Sequence, residues 1–176
     1  HFTTLEISAR ILRASRPICV LYKPVRSPVL AAVSNRARAR LAGTAVLYDD
    51  IRGMISALRR NEIVWYAPDQ SFRKKGAQMV PFFGIPAATN PATSRLARIT
   101  GAVVLPFFVE RLPDARGYRL RIGAALENFP SDDTLDDAQR VNRLIETQVR
   151  RVPEQYLWIH RRFKGTTTDY PDYYGR

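Results

Sequence analysis

The spacing of apolar residues changes along the chain, and each change marks an element. Ile51, Met54, Ile55 and Leu58 recur at i, i+3, i+4 and i+7, which predicts a core-facing helix started by Asp49 or Asp50. A second such face, formed by Val141, Leu144, Ile145, Val149 and Val152, predicts a helix that starts near Thr134 and Asp137 and stops at Pro153. Phe2 to Ser15 sets Leu5, Ile11 and Leu12 among polar residues without Gly or Pro, so it reads as an amphipathic helix ended by Arg16-Pro17. Pro28 to Arg40 reads as a basic, alanine-rich helix. Asn90 and Pro91 supply a cap and a first-turn proline for a helix that runs to about Thr100 and stops at Gly101.

Between these helices the pattern tightens into short apolar or β-branched runs. Ile18 to Tyr22 reads as a buried strand, Thr44 to Tyr48 is a short apolar stretch, and Ile63 to Ala67 reads as a central strand closed by Pro68-Asp69. A polar, basic loop follows from Asp69 to Gln78. Ala102 to Glu110 and Tyr118 to Ala125 read as strands paired in a hairpin through the turn-rich stretch from Leu112 to Gly117. This alternation is that of an α/β fold, a sheet with helices on its faces. At 176 residues and 45% apolar content, the chain fits one domain with a sizeable core. Its longest apolar stretches, such as Gly101 to Val109 with Pro106 inside, fall far below the roughly 20 residues that span a bilayer.

Charge narrows the partners. There are 28 Lys and Arg against 16 Asp and Glu, a net charge of +12. Before Asp49 the bias is sharper, because Arg10, Arg13, Arg16, Lys23, Arg26, Arg36, Arg38 and Arg40 face one acid, Glu6. Nucleic acid, anionic lipid and an acidic carrier protein all suit such a field, and so does a solvated basic surface without a partner. The arginines are not interleaved with exposed aromatics, which argues against a nucleic-acid stacking platform. The single cysteine, Cys19, allows no internal disulfide and points to a reducing compartment. Its apolar strand would raise the thiol pKa, which favours a packing role over a nucleophile.

His1 and Glu6 form an H-x4-E pair, in which a neutral imidazole takes a proton from a hydroxyl while a carboxylate fixes its tautomer. Five residues along an α-helix correspond to a rotation of roughly 140°. The pair therefore works only if His1 lies in the turn before the helix, with Glu6 on its first turns. As a bare pattern it is weak, and His1 reads equally as an exposed end group.

Several blocks together resemble one family. They are His1 to Glu6, Tyr22-Lys23-Pro24, Arg52 to Leu58, Trp65 to Gln70, Val80 to Gly84 with Ala87-Ala88-Thr89, and Glu154 to Lys164. In this order they are similar to the lipid A biosynthesis lauroyl/myristoyl acyltransferases, of the lysophospholipid acyltransferase-like superfamily. The resemblance implies a single α/β catalytic domain over residues 1–165, with a mixed central sheet of glycerolipid-acyltransferase type, and a carboxyl tail over 166–176. It also implies a hydrophobic anchor ahead of His1 and a place on the cytoplasmic face of the inner membrane. The implied donor is an acyl thioester on acyl carrier protein, and the implied acceptor is a hydroxyl of a phosphorylated lipid A precursor. No metal, cofactor or nucleic acid is implied.

On this resemblance His1 is the general base, Glu6 orients it and balances its charge, and Arg38 serves the oxyanion or an acceptor phosphate. Asp69, in the Pro-Asp-Gln block, organises Arg38 or the acceptor. Ser71-Phe72 departs from the Asp-Tyr often found there. Arg36, Arg40, Arg73, Lys74, Lys75, Arg161 and Arg162 are candidate contacts for substrate phosphates. His160 reads as structural or phosphate-binding, not catalytic.

Overall fold

The computed structural model describes residues 1–22, 27–41, 44–165 and 170–175. They divide into two compact units, one of Leu5–Tyr66 and one of His1–Thr4 with Ala67–Arg176.

The Leu5–Tyr66 unit contains helices α1 (Leu5–Ser15), α2 (Pro28–Leu41) and α3 (Ile51–Arg59) and strands β1 (Ile18–Tyr22), β2 (Thr44–Leu47) and β3 (Ile63–Trp65). β1 lies between β2 and β3 and is parallel to both, with Cys19 opposite Thr44 on one side and Val64 on the other. A parallel strand flanked on both sides is covered on both faces, which explains the unbroken apolar run of β1 and the complete burial of Cys19. Burial also raises the Cys19 thiol pKa. α1 buries Ser8, Ala9 and Leu12, while α3 buries Met54 and Ala57. The Asp50 carboxylate caps α3 by accepting from the Gly53 N–H at 2.9 Å. Gly53 is needed there, because a Cβ at that point would stand 2.9 Å from Val46 Cγ1 and 2.5 Å from Asp50 Oδ2.

The second unit contains two antiparallel hairpins and two helices. β4 (Gln78–Phe82) pairs with β5 (Ile85–Thr89), and β6 (Phe107–Arg111) with β7 (Tyr118–Ile122). α4 (Ala92–Thr100) ends on left-handed Gly101, and α5 (Thr134–Arg151) starts from Asp133, whose carboxylate accepts from the Leu135 and Asp136 N–H groups. α5 presses Ile145 and Val149 onto Phe82, Ala87 and Tyr156 to make the core.

The α/β class is as the periodicity predicts. The strands, however, fall into three sheets among the described residues, where one mixed central sheet was expected. α1 starts at Leu5 and not at Phe2, since Phe2 bridges to Tyr156. The strand expected from Ala102 begins at Phe107, just after Pro106, which lacks the N–H a ladder requires. In the carboxyl tail beyond Gly165, Tyr173 packs on Phe163 and the Tyr174 hydroxyl accepts from the Phe163 N–H at 2.9 Å.

Candidate active site

The four residues before α1 are strapped along the segment that follows α5. The Thr3 N–H donates to the Gln155 carbonyl at 2.8 Å, and the Leu157 N–H donates to the His1 carbonyl at 2.8 Å. The Thr4 hydroxyl donates to the Val109 carbonyl of β6, also at 2.8 Å. Phe2 drives its ring edge-on against Tyr156 and Phe108, at centroid distances of 5.4 and 5.9 Å. His1 is thus held on both its backbone and its following side chain.

Asp69 meets His1 here. Its Oδ1 lies 2.5 Å from His1 Nδ1. Asp69 is 4% exposed. An ionised carboxylate only accepts, so Nδ1 carries the proton and Nε2 presents its lone pair. Burial pushes the imidazole pKa from 6.5 down to about 4, and the field of nearby His160 adds to the shift. His1 is therefore a neutral imidazole at pH 7, with one nitrogen anchored and the other open to accept.

The loop after Asp69 is pinned from the other side. His160 Nε2 accepts from the Ser71 N–H at 2.9 Å, the Phe72 N–H donates to the Ala88 carbonyl at 3.0 Å, and the Ser71 hydroxyl donates to the Lys164 carbonyl at 3.2 Å. Ser71-Phe72 thus holds the loop mainly through its backbone. His160 acts as a clasp on this loop, and burial lowers its pKa as well.

The other candidates divide by surroundings. Arg162 is 2% exposed and turns inward. It donates to the Ala88 carbonyl at 2.9 Å, to Thr89 Oγ1 at 2.8 Å and to Asn142 Oδ1 at 3.4 Å. The phosphate contact expected of it gives way to an internal strut, because its Nη donors are engaged with buried acceptors. Arg161 is exposed, with its guanidinium 5.6 Å from the Tyr174 ring centre, and Arg73, Lys74 and Lys75 lie exposed on the loop. Glu6 is exposed on the first turn of α1 and Arg36 is exposed on α2. Arg38 and Arg40 belong to α2, but their side chains lie outside the described residues. The carboxylate on His1 Nδ1 is thus that of Asp69, 68 positions away, where the sequence reading assigned Glu6. No local pattern carries a contact across that separation.

Residues 1–165 match the model of a protein family described as bacterial lipid A biosynthesis acyltransferase. The chain belongs to that family. It is 38% identical over 165 residues to a lipid A biosynthesis palmitoleoyltransferase of Escherichia coli K12, covering 93% of this chain and 54% of the relative. It is 37% identical over 175 residues to the lipid A biosynthesis lauroyltransferase of the same organism, covering 99% of this chain and 57% of the relative. A lipid A biosynthesis acyltransferase of Haemophilus influenzae is 36% identical over 166 residues, covering 93% and 53%. The chain spans about half the length of these relatives. In this member of the lipid A acyltransferase family, the block from Glu154 to Lys164 supplies the strap on His1, the clasp on Ser71 and the strut of Arg162.

Proposed function

We propose that the protein is an acyltransferase that moves a fatty acyl chain from an acyl carrier protein thioester to a hydroxyl of a phosphorylated lipid A precursor, at the cytoplasmic face of the inner membrane. The observation that carries the reading is the neutral, Asp69-anchored His1 in a chain of this family.

His1 Nε2 takes the proton of the acceptor hydroxyl as its oxygen attacks the thioester carbonyl. The imidazolium that forms is balanced by Asp69, with Glu6 as the further carboxylate assigned to this charge. The tetrahedral oxyanion needs a cation or N–H donors, and Arg38 is the residue assigned to it or to an acceptor phosphate. Collapse breaks the carbon–sulfur bond and expels the carrier thiolate, which recovers the proton from His1. The products are the acyl ester and the free carrier thiol. Arg36, Arg40, Arg73, Lys74, Lys75 and Arg161 are assigned to the phosphates of lipid and carrier.

The test is mass spectrometry of lipid A precursor incubated with acyl carrier protein thioester and the enzyme. The acceptor should gain one acyl mass, and His1→Ala should lower turnover by about 10²-fold or more with the fold intact. Acyl transfer to a phospholipid alone, or full turnover by His1→Ala, would reject the reading. The acid limb of kcat/KM should lie near pH 4, because the base is lost only when His1 protonates at its lowered pKa. A limb at the ordinary imidazole value of about 6.5 would contradict it.

A further inference from the structure

The segment from Leu157 to Arg162 reaches both members of the His1–Asp69 pair. At one end, the Leu157 N–H donates to the His1 carbonyl at 2.8 Å. Three residues on, His160 Nε2 accepts from the Ser71 N–H at 2.9 Å, and Ser71 lies two positions beyond Asp69. Backbone bonds keep these two contacts in register, because the His160 N–H donates to the Leu157 carbonyl at 3.0 Å and the Arg162 N–H to the His160 carbonyl at 2.8 Å. The imidazole of His1 and the loop that brings its carboxylate are thus tied to one turn.

The same segment shares a second mooring with that loop. The Ala88 carbonyl of β5 accepts from the Phe72 N–H at 3.0 Å and from Arg162 Nη1 at 2.9 Å. Ala88, Phe72, Ser71, His160 and Arg162 therefore close a ring, and the bond from Ser71 to His160 is its member nearest Asp69 in the chain. With that N–H fixed, only Gln70 separates the restrained peptide from Asp69. The margin is small. The carboxylate lies 2.5 Å from His1 Nδ1, and a drift of about 1 Å would carry it to the edge of hydrogen-bond range.

The chemistry of the ring suits this task. Burial lowers the His160 pKa, so at pH 7 the imidazole is neutral and Nε2 keeps the lone pair that the Ser71 N–H requires. A protonated ring has no acceptor to offer.

We infer that His160 is a positioning residue for acyl transfer: by holding the Ser71 N–H it keeps the Asp69 carboxylate on His1 Nδ1, and it touches no reacting atom itself. The inference rests on the reading of His1 as the base, and it adds the residue that seats the partner of that base.

The test is acyl transfer from acyl carrier protein thioester to lipid A precursor by the enzyme, with kcat and KM read separately. His160→Ala should lower kcat about tenfold and leave KM within about twofold, because misplacing the carboxylate weakens the transition state and not substrate binding. His160→Gln sets an amide oxygen where Nε2 stood and should recover most of kcat. His160→Asn, whose acceptor ends one atom short, should not. In an Asp69→Asn background, His160→Ala should cost less than about twofold more, since it acts through a contact already lost. A merely structural role would multiply the two losses. If circular dichroism shows that His160→Ala does not fold, the comparison of the Gln and Asn variants decides. Parent-like kcat in His160→Ala, equal turnover by the Gln and Asn variants, or independent losses in the double variant would each overturn the inference. Full turnover by His1→Ala would instead overturn the catalytic reading beneath it, and the inference with it.

Discussion

The two units of the molecule treat charge in opposite ways. In the unit that holds His1, five charged residues are buried: Asp69, Glu110, Asp137, Glu146 and Arg162. Each is bonded. Glu110 receives Arg121, Arg151 and Gln148, Asp137 receives the Ser94 hydroxyl at 2.6 Å, and Glu146 receives the Phe83 N–H at 2.9 Å. In the Leu5–Tyr66 unit, Ser8 is the one buried polar residue among those described. Among its described residues no charged side chain is buried and most are exposed, over a core of apolar side chains. Buried and satisfied polar networks fix one arrangement of the groups they join, whereas exposed charges act through their field on whatever approaches. The first unit is thus suited to holding an imidazole in register, while the second presents its charge to whatever approaches.

The contrast breaks most sharply at Asp69. Asp69→Asn keeps the shape but removes the negative charge that fixes the tautomer of His1 and balances its imidazolium, so turnover should fall by about 10²-fold while the thermal transition changes little. A variant with undiminished turnover would remove Asp69 from the mechanism. The next effect is on stability. Arg162→Met leaves the Ala88 carbonyl, Thr89 and Asn142 short of donors and should cost about 2 to 4 kcal/mol, read as a lower urea midpoint at unchanged m. A midpoint like that of the parent would show that the strut carries no load. The smallest effect belongs to the other unit. Gly53→Ala gains about 1 kcal/mol of helix propensity, but the contacts with Val46 and Asp50 overpack the start of α3 and disturb its cap. A net loss of about 1 kcal/mol is expected in thermal melts, and a stabilised variant would contradict the close approach.

What could be read in advance followed from short-range rules. The faces of α3 and α5, the stop at Gly101 and the β6–β7 hairpin were legible because period, cap and turn residues act within a few positions. The β4–β5 hairpin was not foreseen as strands, because it holds Pro81 and Pro86. They face each other one pair from the turn, where a two-residue hairpin needs no ladder bond, so neither misses its N–H. The turn itself is Phe83-Gly84, with φ of 51° and 79°, a geometry signalled more plainly by Asn-Gly. Within the site, the candidate acid and base were visible as residue types, but their pairing was not. Asp69 reaches His1, and Arg162 reaches Thr89, through folding of distant segments, and a basic residue in a basic chain gives no sign that it points inward.

The bond between the His1 carbonyl and the Leu157 N–H also sets the order of assembly. A ribosome makes His1 long before Leu157, yet the base has no fixed seat until that later stretch has left the exit tunnel and folded. Seating of His1 is consequently a late event that waits on chain made 156 positions further on.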